Sequence, residues 1–544
     1  MRLAAFPKAA LALALGLSGC SGDPETSAVP GRPAVSQGGV LRIDSEIPRS
    51  LDPATTDDAY QATVTNQIFS GLVHWDDNLN VLPEIAESWI ISPDKLHYTF
   101  DLREDATFHN GRTITAEDFI YSFTRLFDRT KVEPYIIQDY LNRIEGVDAF
   151  VAGEAEAIAG LSAPDPFTLR IDLRAAYPSF LSALCMDQAK VVPSEVVEPL
   201  GSAGFARAPV GSGPFHLAAW EDTVMVLAAN ETYFGGRAPL DSIVFIKYPQ
   251  EDPEAFKRAF LARALDMRPI REAEVPELLN HGNYFIVRRP ELSMEFLGFN
   301  CSLPPFDRRE VRQAVSMAVD RSLMREAAGP GFTTPVGLLP PGMPGYSPET
   351  KILPENLSEA KVLLGQMGYG EGYPLRFPIY TASHSAAARA RDEALIRGLR
   401  RVHIEPEIVV VTWEDLERRI DDGSMESFFL TWVADLPDPD SFVYTLCASS
   451  GLYNMFAYGN KDVDRLLARG RDELNVPLRL SLYREAEVMI LYDAPIIPLF
   501  NLMNTYAFQP GVRGVEMSPF GISGIPMRKI WFERPVPETV HAGL

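Results

Sequence analysis

The sequence predicts an α/β protein of several domains. Segments that alternate apolar and polar residues with a period of two are interleaved along the chain with segments whose apolar residues recur every three to four positions. The chain is 544 residues long, room for roughly three domains. Strand-like texture dominates up to about residue 300 and helical texture after it.

In order, residues 40–43 form a first strand, and residues 47–53, with Pro48 and Pro53, form a turn. Residues 98–102 alternate like a half-buried strand, and His109-Asn110-Gly111 marks a hairpin-type turn. Thr115 caps a helix running to Phe127, with Phe119, Phe123 and Leu126 on its apolar face. Residues 168–173 alternate again. Gly211-Ser212-Gly213-Pro214-Phe215 turns into another strand, and residues 242–248 and 294–299 supply two more. From Asp307 the pattern becomes helical. One helix covers residues 310–324, with Val311, Val315, Ala318 and Val319 on one face. Ser358 caps a second, with Ala360, Leu363, Leu364 and Met367 inward and Gly368 just past its end. A third covers residues 478–491 and leads into a strand over 495–500.

The N-terminus carries Arg2 and Lys8 ahead of nine apolar residues, Ala9 to Leu17. Nine residues are too few to cross a bilayer, which takes about 20 in a helix; they fit the apolar region of a signal peptide over residues 1–19. Leu17-Ser18-Gly19-Cys20 follows and resembles a bacterial lipobox, in which Cys20 becomes the first residue and carries lipid on its thiol. The competing reading is an ordinary signal peptide with a chance cysteine. Residues 20–38 are rich in Ser, Gly, Pro and Thr, a composition that cannot repay ordering. They are expected to be a tether whose coil spans roughly 20–25 Å.

There are 73 acidic and 50 basic residues, a net charge of −23. That argues against nucleic acid as a partner, since phosphates are bound by clustered Lys and Arg. Beyond Cys20 there are Cys185, Cys301 and Cys447. Buried free thiols are favoured over a Cys301–Cys447 bridge.

Catalytic motifs are missing. There is no P-loop, no Gly-x-Ser-x-Gly elbow, no His-Glu-x-x-His and no Cys-x-x-Cys. Ser358-Glu359-Ala360-Lys361 matches Ser-x-x-Lys, but it reads as a cap and a solvated lysine. Asp435, Asp438 and Asp440 form a carboxylate cluster. Two carboxylates suit glycoside hydrolysis, and a cluster suits calcium, yet no EF-hand pattern is present. For Asp438 and Asp440 turn capping is the favoured reading. No metal site and no cofactor is expected.

A set of segments in order carries a resemblance. These are Ser50-Leu51-Asp52-Pro53, Ile68-Phe69-Ser70-Gly71-Leu72, Pro83-Glu84-Ile85-Ala86-Glu87-Ser88-Trp89, Tyr98 to Arg103, and Phe108 to Gly111 with Thr115 to Phe119. They continue with Gly211 to Phe215, Pro305-Phe306-Asp307, Val311 to Ala314, Trp432 to Pro439, and Ala494 to Leu499. Together they make the chain resemble the family 5 solute-binding proteins of peptide ABC importers, over nearly the whole body.

The resemblance implies a type II periplasmic-binding-protein fold with two lobes and a two-segment hinge. Lobe 1 would comprise residues 39–75, 206–292 and 508–544, with an extra domain at 76–205. Lobe 2 would comprise residues 293–507. It implies a non-enzymatic receptor that traps a peptide between closing lobes and delivers it to an ABC permease and ATPase complex at the inner membrane. Such a receptor would be a monomer, lipid-anchored in the periplasm or at the cell surface.

Among site residues, the resemblance places Asp435 against the peptide ammonium. It makes the backbone of Trp432, Val433 and Ala434, and that of Ile47 and Pro48 on the other lobe, candidates for main-chain pairing. Trp413 and Tyr135 become candidate aromatic walls. Ile420 and Phe429 stand where the tripeptide binders of the family carry arginine, which leaves carboxylate recognition open. Other solutes of the same fold, such as an oligosaccharide or a nickel or haem complex, are the alternative. A hydrolase using Asp435, Asp438 and Asp440 is the alternative from another class.

Overall fold

The computed structural model describes residues 35–132, 136–249, 254–329, 331–383 and 385–533. The expected signal peptide, Cys20, most of the tether and Tyr135 lie outside the described residues.

A twelve-stranded mixed sheet organises the body. One half is parallel where Val40–Asp44 meets Ser242–Ile246 and Met267–Pro269, then antiparallel outward through Val224–Ala229 to Phe215–Trp220. The other half centres on Ser293–Phe299 and Ser427–Val433, antiparallel along their full length, with Leu375–Thr381 and Ile404–Val410 beyond. A single long strand, Ile496–Phe508, joins the halves. Its first part pairs with Ser293–Phe299 and its last part with Phe285–Pro290 and Met267–Pro269. The chain therefore passes between the two halves twice, side by side, once before Ser293 and once within the long strand. Paired crossings of this kind let two lobes hinge while the sheet core of each stays rigid.

A separate four-stranded antiparallel sheet runs in the order Ala86–Ile91, His97–Leu102, Thr168–Asp172, Leu161–Asp165. The helix Ala116–Phe127 packs on it through Phe119, Phe123 and Leu126, all essentially inaccessible. Its first turn carries Asp118, which accepts from the Thr115 amide at 2.9 Å and forms a two-pronged pair with Arg112 at 2.6 and 3.0 Å. A carboxylate there complements the helix dipole and ties down a free N–H.

Three sequence readings change. The helix expected over 310–324 is two helices, Arg309–Ala318 and Arg321–Ala328. Apolar periodicity runs through Val319, but Asp320 accepts from the Leu323 amide at 3.0 Å and restarts the helix. Asn356, not Ser358, caps the helix Leu357–Gln366, accepting from the Glu359 amide at 3.1 Å. The strand expected over 495–500 extends to Phe508, because Asn501 and Thr505 stay buried by bonding the Ser293 carbonyl and Glu272. Cys185, Cys301 and Cys447 are free thiols.

Candidate ligand-binding cleft

The strand Ser427–Val433 is rich in β-branched and aromatic residues and is paired on one edge throughout. On its other edge, among the described residues, it meets a neighbour only at Phe428, opposite Tyr380. Leu430 to Val433 thus present an open strand edge, and these residues line a cavity of about 1590 Å³. The opposite wall comes from the loop after Val40–Asp44, the helix Ala59–Ile68, the segment around Asp187 and the C-terminal turns near Arg528.

Of the residues singled out from sequence, Ile47, Pro48, Trp413, Trp432, Val433, Ala434 and Asp435 all line this one cavity. Trp432 is held by its indole N–H, which donates to the Ser441 carbonyl at 2.9 Å, and by Tyr453, whose ring centroid is 5.2 Å away. The Ala434 amide is already used, donating to the Leu292 carbonyl at 2.8 Å. That leaves the strand edge ahead of it for a ligand. Trp413 opens the helix Trp413–Asp421, capped by Thr412, and stands 55% exposed in the cleft wall. Close by, burial raises the Glu417 carboxyl. A bond from Trp413 opposes this, while Asp57, Asp421 and Glu414 add to it, so this end of the cleft is acidic. Ile420 also lines the cavity. Phe429 is buried in an adjoining pocket under the Arg391 guanidinium, 3.9 Å from its ring centroid.

Asp435 sits in the turn that ends the open strand. Its backbone N–H donates to Ser441 Oγ at 2.9 Å, and that hydroxyl donates weakly to Asp435 Oδ2 at 3.4 Å. The carboxyl is hemmed in by protein but open to the cavity, and burial pushes it up to about 7. The Ser441 bond opposes the shift and Asp187, across the cleft, adds to it. Asp187 is raised by its own burial, against the pull of Lys190 and a bond from Asn66. Two carboxyls raised by burial therefore face the same space, which suits a positively charged guest.

The cluster read from sequence does not hold together. Asp438 and Asp440 do not line the cavity. Asp438 is clamped by Arg479 at 2.7 and 2.9 Å and accepts from Ser179 at 2.5 Å. Asp440 pairs with Arg471 at 3.1 Å and accepts from Tyr177 and Tyr483 at 3.0 and 2.5 Å. Asp438 does also accept from the Asp440 amide at 2.9 Å, the turn contact expected of it. Turn capping is nevertheless the lesser part of what these residues do. Among the described residues no group of three His, Cys, Asp or Glu side chains is placed to hold a metal, and no helix is long and apolar enough to cross a membrane.

The cavity also contains residues that sequence reasoning missed: Asp187, Lys190, His74 and Arg528. They lie on three separate segments, Asp187 and Lys190 sharing one, and no local pattern marks any of them.

The profile for bacterial extracellular solute-binding proteins, family 5, matches residues 80–454. The chain belongs to that family. Among family members, it is 29% identical to heme-binding protein A of Haemophilus influenzae over 85% of this chain and 86% of the relative. It is 28% identical to the probable di/tripeptide-binding protein 5 of Pseudomonas aeruginosa over 81% and 85%. The Helicobacter pylori periplasmic binding protein DppA in complex with the peptide STSA superposes with a TM-score of 0.79 at 26% identity, covering 92% of this chain and 99% of that one. The Escherichia coli murein tripeptide binding protein MppA gives 0.80 at 25%, with 92% and 99% covered. This family 5 chain has the type II periplasmic-binding fold that the resemblance implied. The family is one of solute receptors for transport.

Proposed function

We propose that this family 5 protein captures peptides and hands them to an ABC permease and ATPase complex. One observation carries the reading: an open strand edge, Leu430 to Val433, ends at an unpaired carboxylate, Asp435, inside a cleft large enough for several residues. A receptor that accepts many sequences must read what all peptides share. The edge offers main-chain pairing, and the carboxylate offers a partner for the terminal ammonium. Trp432, Val433 and Ala434 frame that edge, Ile47 and Pro48 face it, and Trp413 supplies an apolar wall. The names and complexes of relatives, among them a di/tripeptide-binding protein and a receptor holding STSA, support the same ligand class.

The domain division given above, with lobe 2 over residues 293–507, belongs to this proposal, as do the signal peptide, the lipid on Cys20 and a monomer anchored in the periplasm or at the cell surface. A second reading, a haem or other non-peptide solute in the same cleft, is favoured by one relative, heme-binding protein A. Thermal-shift screening with pooled di- to octapeptides, sugars and metal or haem complexes separates the two. Peptide pools are expected to raise the melting temperature. A shift with haem alone would replace the peptide reading.

Binding should depend on pH. The empty site takes up a proton near pH 7, and that proton must leave before Asp435 can pair with an ammonium. Peptide affinity is therefore expected to fall below pH 7, by about tenfold per pH unit. The stability of the empty protein moves the other way. A carboxyl raised on folding contributes fully below its unfolded value and loses that contribution as pH rises through 7. Calorimetric titration from about pH 5 to 8 checks this; a flat affinity profile would remove Asp435 from the ammonium site.

A further inference from the structure

The wall of the cleft opposite the open strand carries positive charge. Lys190 reaches the cavity with a side chain only 6% exposed. Its nearest carboxylate is Glu84 at 3.6 Å, an ion pair too long to be a hydrogen bond, and Glu84 is already engaged by the Gly71 amide at 2.8 Å. Arg528, in the short turn Met527–Lys529, is half-buried and lines the same wall. Among the described residues its guanidinium makes no hydrogen bond or ion pair. His74 lines the same cavity. It feels the fields of Glu84, Lys190, Arg528 and Lys529, and its Nδ1 is buried without a partner.

Two neighbouring cations of this wall have partners of their own. Lys529 pairs with Glu516 at 2.5 Å, and Arg103 pairs with Glu87 at 3.4 Å while donating to the Glu84 carbonyl at 3.1 Å. Arg528 is therefore the half-buried cation of this wall without a partner among the described residues, with Lys190 near it on a long ion pair to Glu84; Arg49, which also lines the cavity, is exposed. A half-buried guanidinium held in place by a folded turn, with no counter-charge of its own, is a ready fork for a planar anion.

We propose that Arg528, with Lys190 and His74, forms a carboxylate-binding subsite on the lobe 1 wall. This inference rests on the peptide reading for the identity of the guest, and it deepens that reading by assigning the guest's negative end. The ammonium and carboxylate sites line one cavity and are linked by a short chain of residues. Asp435 feels Asp187, on which Lys190 and Asn66 act in turn; Asn66 donates to the Ser523 carbonyl at 3.0 Å, in the segment leading to Arg528. A cleft with both poles on neighbouring elements selects short, zwitterionic ligands or a ligand with an acidic side chain near its amino end.

The full chain and its Arg528→Gln variant are titrated with Ala-Ala-Ala, its C-terminal amide, and Ala-Glu-Ala amide; succinate serves as a carboxylate without an amine. The wild type is expected to bind the free acid about 10- to 100-fold more tightly than the plain amide. Arg528→Gln should bring that ratio to about one while keeping the penalty for N-acetylation, which belongs to Asp435. If the plain amide binds like the acid but Ala-Glu-Ala amide binds tighter, and only in the wild type, the carboxylate comes from a side chain. Arg528→Lys, which keeps the charge and loses the fork, should fall between. If no peptide binds but succinate raises the melting temperature of the wild type and not of Arg528→Gln, the peptide reading fails and the subsite stands. If Arg528→Gln leaves every carboxylate preference unchanged, the subsite is overturned.

Discussion

Replacing Asp435 by alanine is expected to weaken binding of a free peptide by about 30-fold or more. Removing one partner of a buried, hydrogen-bonded charge pair costs about 2–5 kcal/mol, and 1.4 kcal/mol is about tenfold in affinity. The empty site already holds Asp435 half-protonated near pH 7, so ionising it for the ligand costs only about a factor of two at that pH. The remainder of the pair energy appears in binding. Acetylating the peptide amine removes the same interaction from the other side. The two changes should not add: acetylated and free peptide are expected to bind Asp435→Ala with nearly equal affinity. Calorimetric titration of both peptides against both proteins closes the cycle. Additive losses would mean that the ammonium is held elsewhere, with Asp187 the nearest candidate. Asp435→Asn sharpens the test, because it keeps the volume and the contact with Ser441 but not the charge.

The architecture was legible where periodicity is strong and local. Val40–Asp44, Ala116–Phe127 and Ser293–Phe299 fall where the alternation and apolar faces put them. It was not legible where one polar residue outweighs a run of apolar ones, as Asp320 does in ending the helical pattern through Val319. Two good capping residues two positions apart, Asn356 and Ser358, are not told apart by sequence; the choice depends on where the preceding chain enters. The long strand hid its second half because Asn501 and Thr505 look like loop residues until their buried partners are known.

In the cleft, the segment around Asp435 carried a recognisable pattern, and with Ile47, Pro48 and Trp413 it converges on one cavity. Arg528, Lys190, His74 and Asp187 had no such mark. Each is an ordinary polar residue in its local stretch, and its meaning comes from the cavity that segments far apart in the chain build together. The same holds for Asp438 and Asp440. Their Asp-Pro spacing is what a capped turn requires, while Arg471 and Arg479, which fix their actual role, lie on other helices.

The pair formed by Asp440 and Arg471 carries the second large expectation, this time on stability. Asp440 is fully buried, and Arg471 nearly so. Burial pushes the Asp440 carboxyl up, while Arg471 and the Tyr483 bond pull it down. Arg471 also reaches Asp139 at 2.9 Å and stacks on Tyr444 at 4.0 Å from its ring centroid. With Tyr177 and Ser179 bonded to Asp440 and Asp438, the network ties residues 139–179 to residues 438–483. Asp440→Ala leaves a buried guanidinium with one carboxylate fewer and two phenols without an acceptor. The expected loss is about 3–5 kcal/mol, read as a lower midpoint in urea unfolding followed by circular dichroism. A loss below about 1 kcal/mol would mean that Asp139 alone suffices for Arg471. The charge itself is not what the fold requires, so replacing both partners with apolar residues of similar size, Asp440→Leu with Arg471→Met, should cost less than either single change. Peptide affinity adds an independent readout. Ser441, next to Asp440, positions Asp435 through its hydroxyl, so a loosened turn should weaken ligand binding in Asp440→Ala and leave it largely restored in the double variant if packing, rather than charge, holds the turn in place.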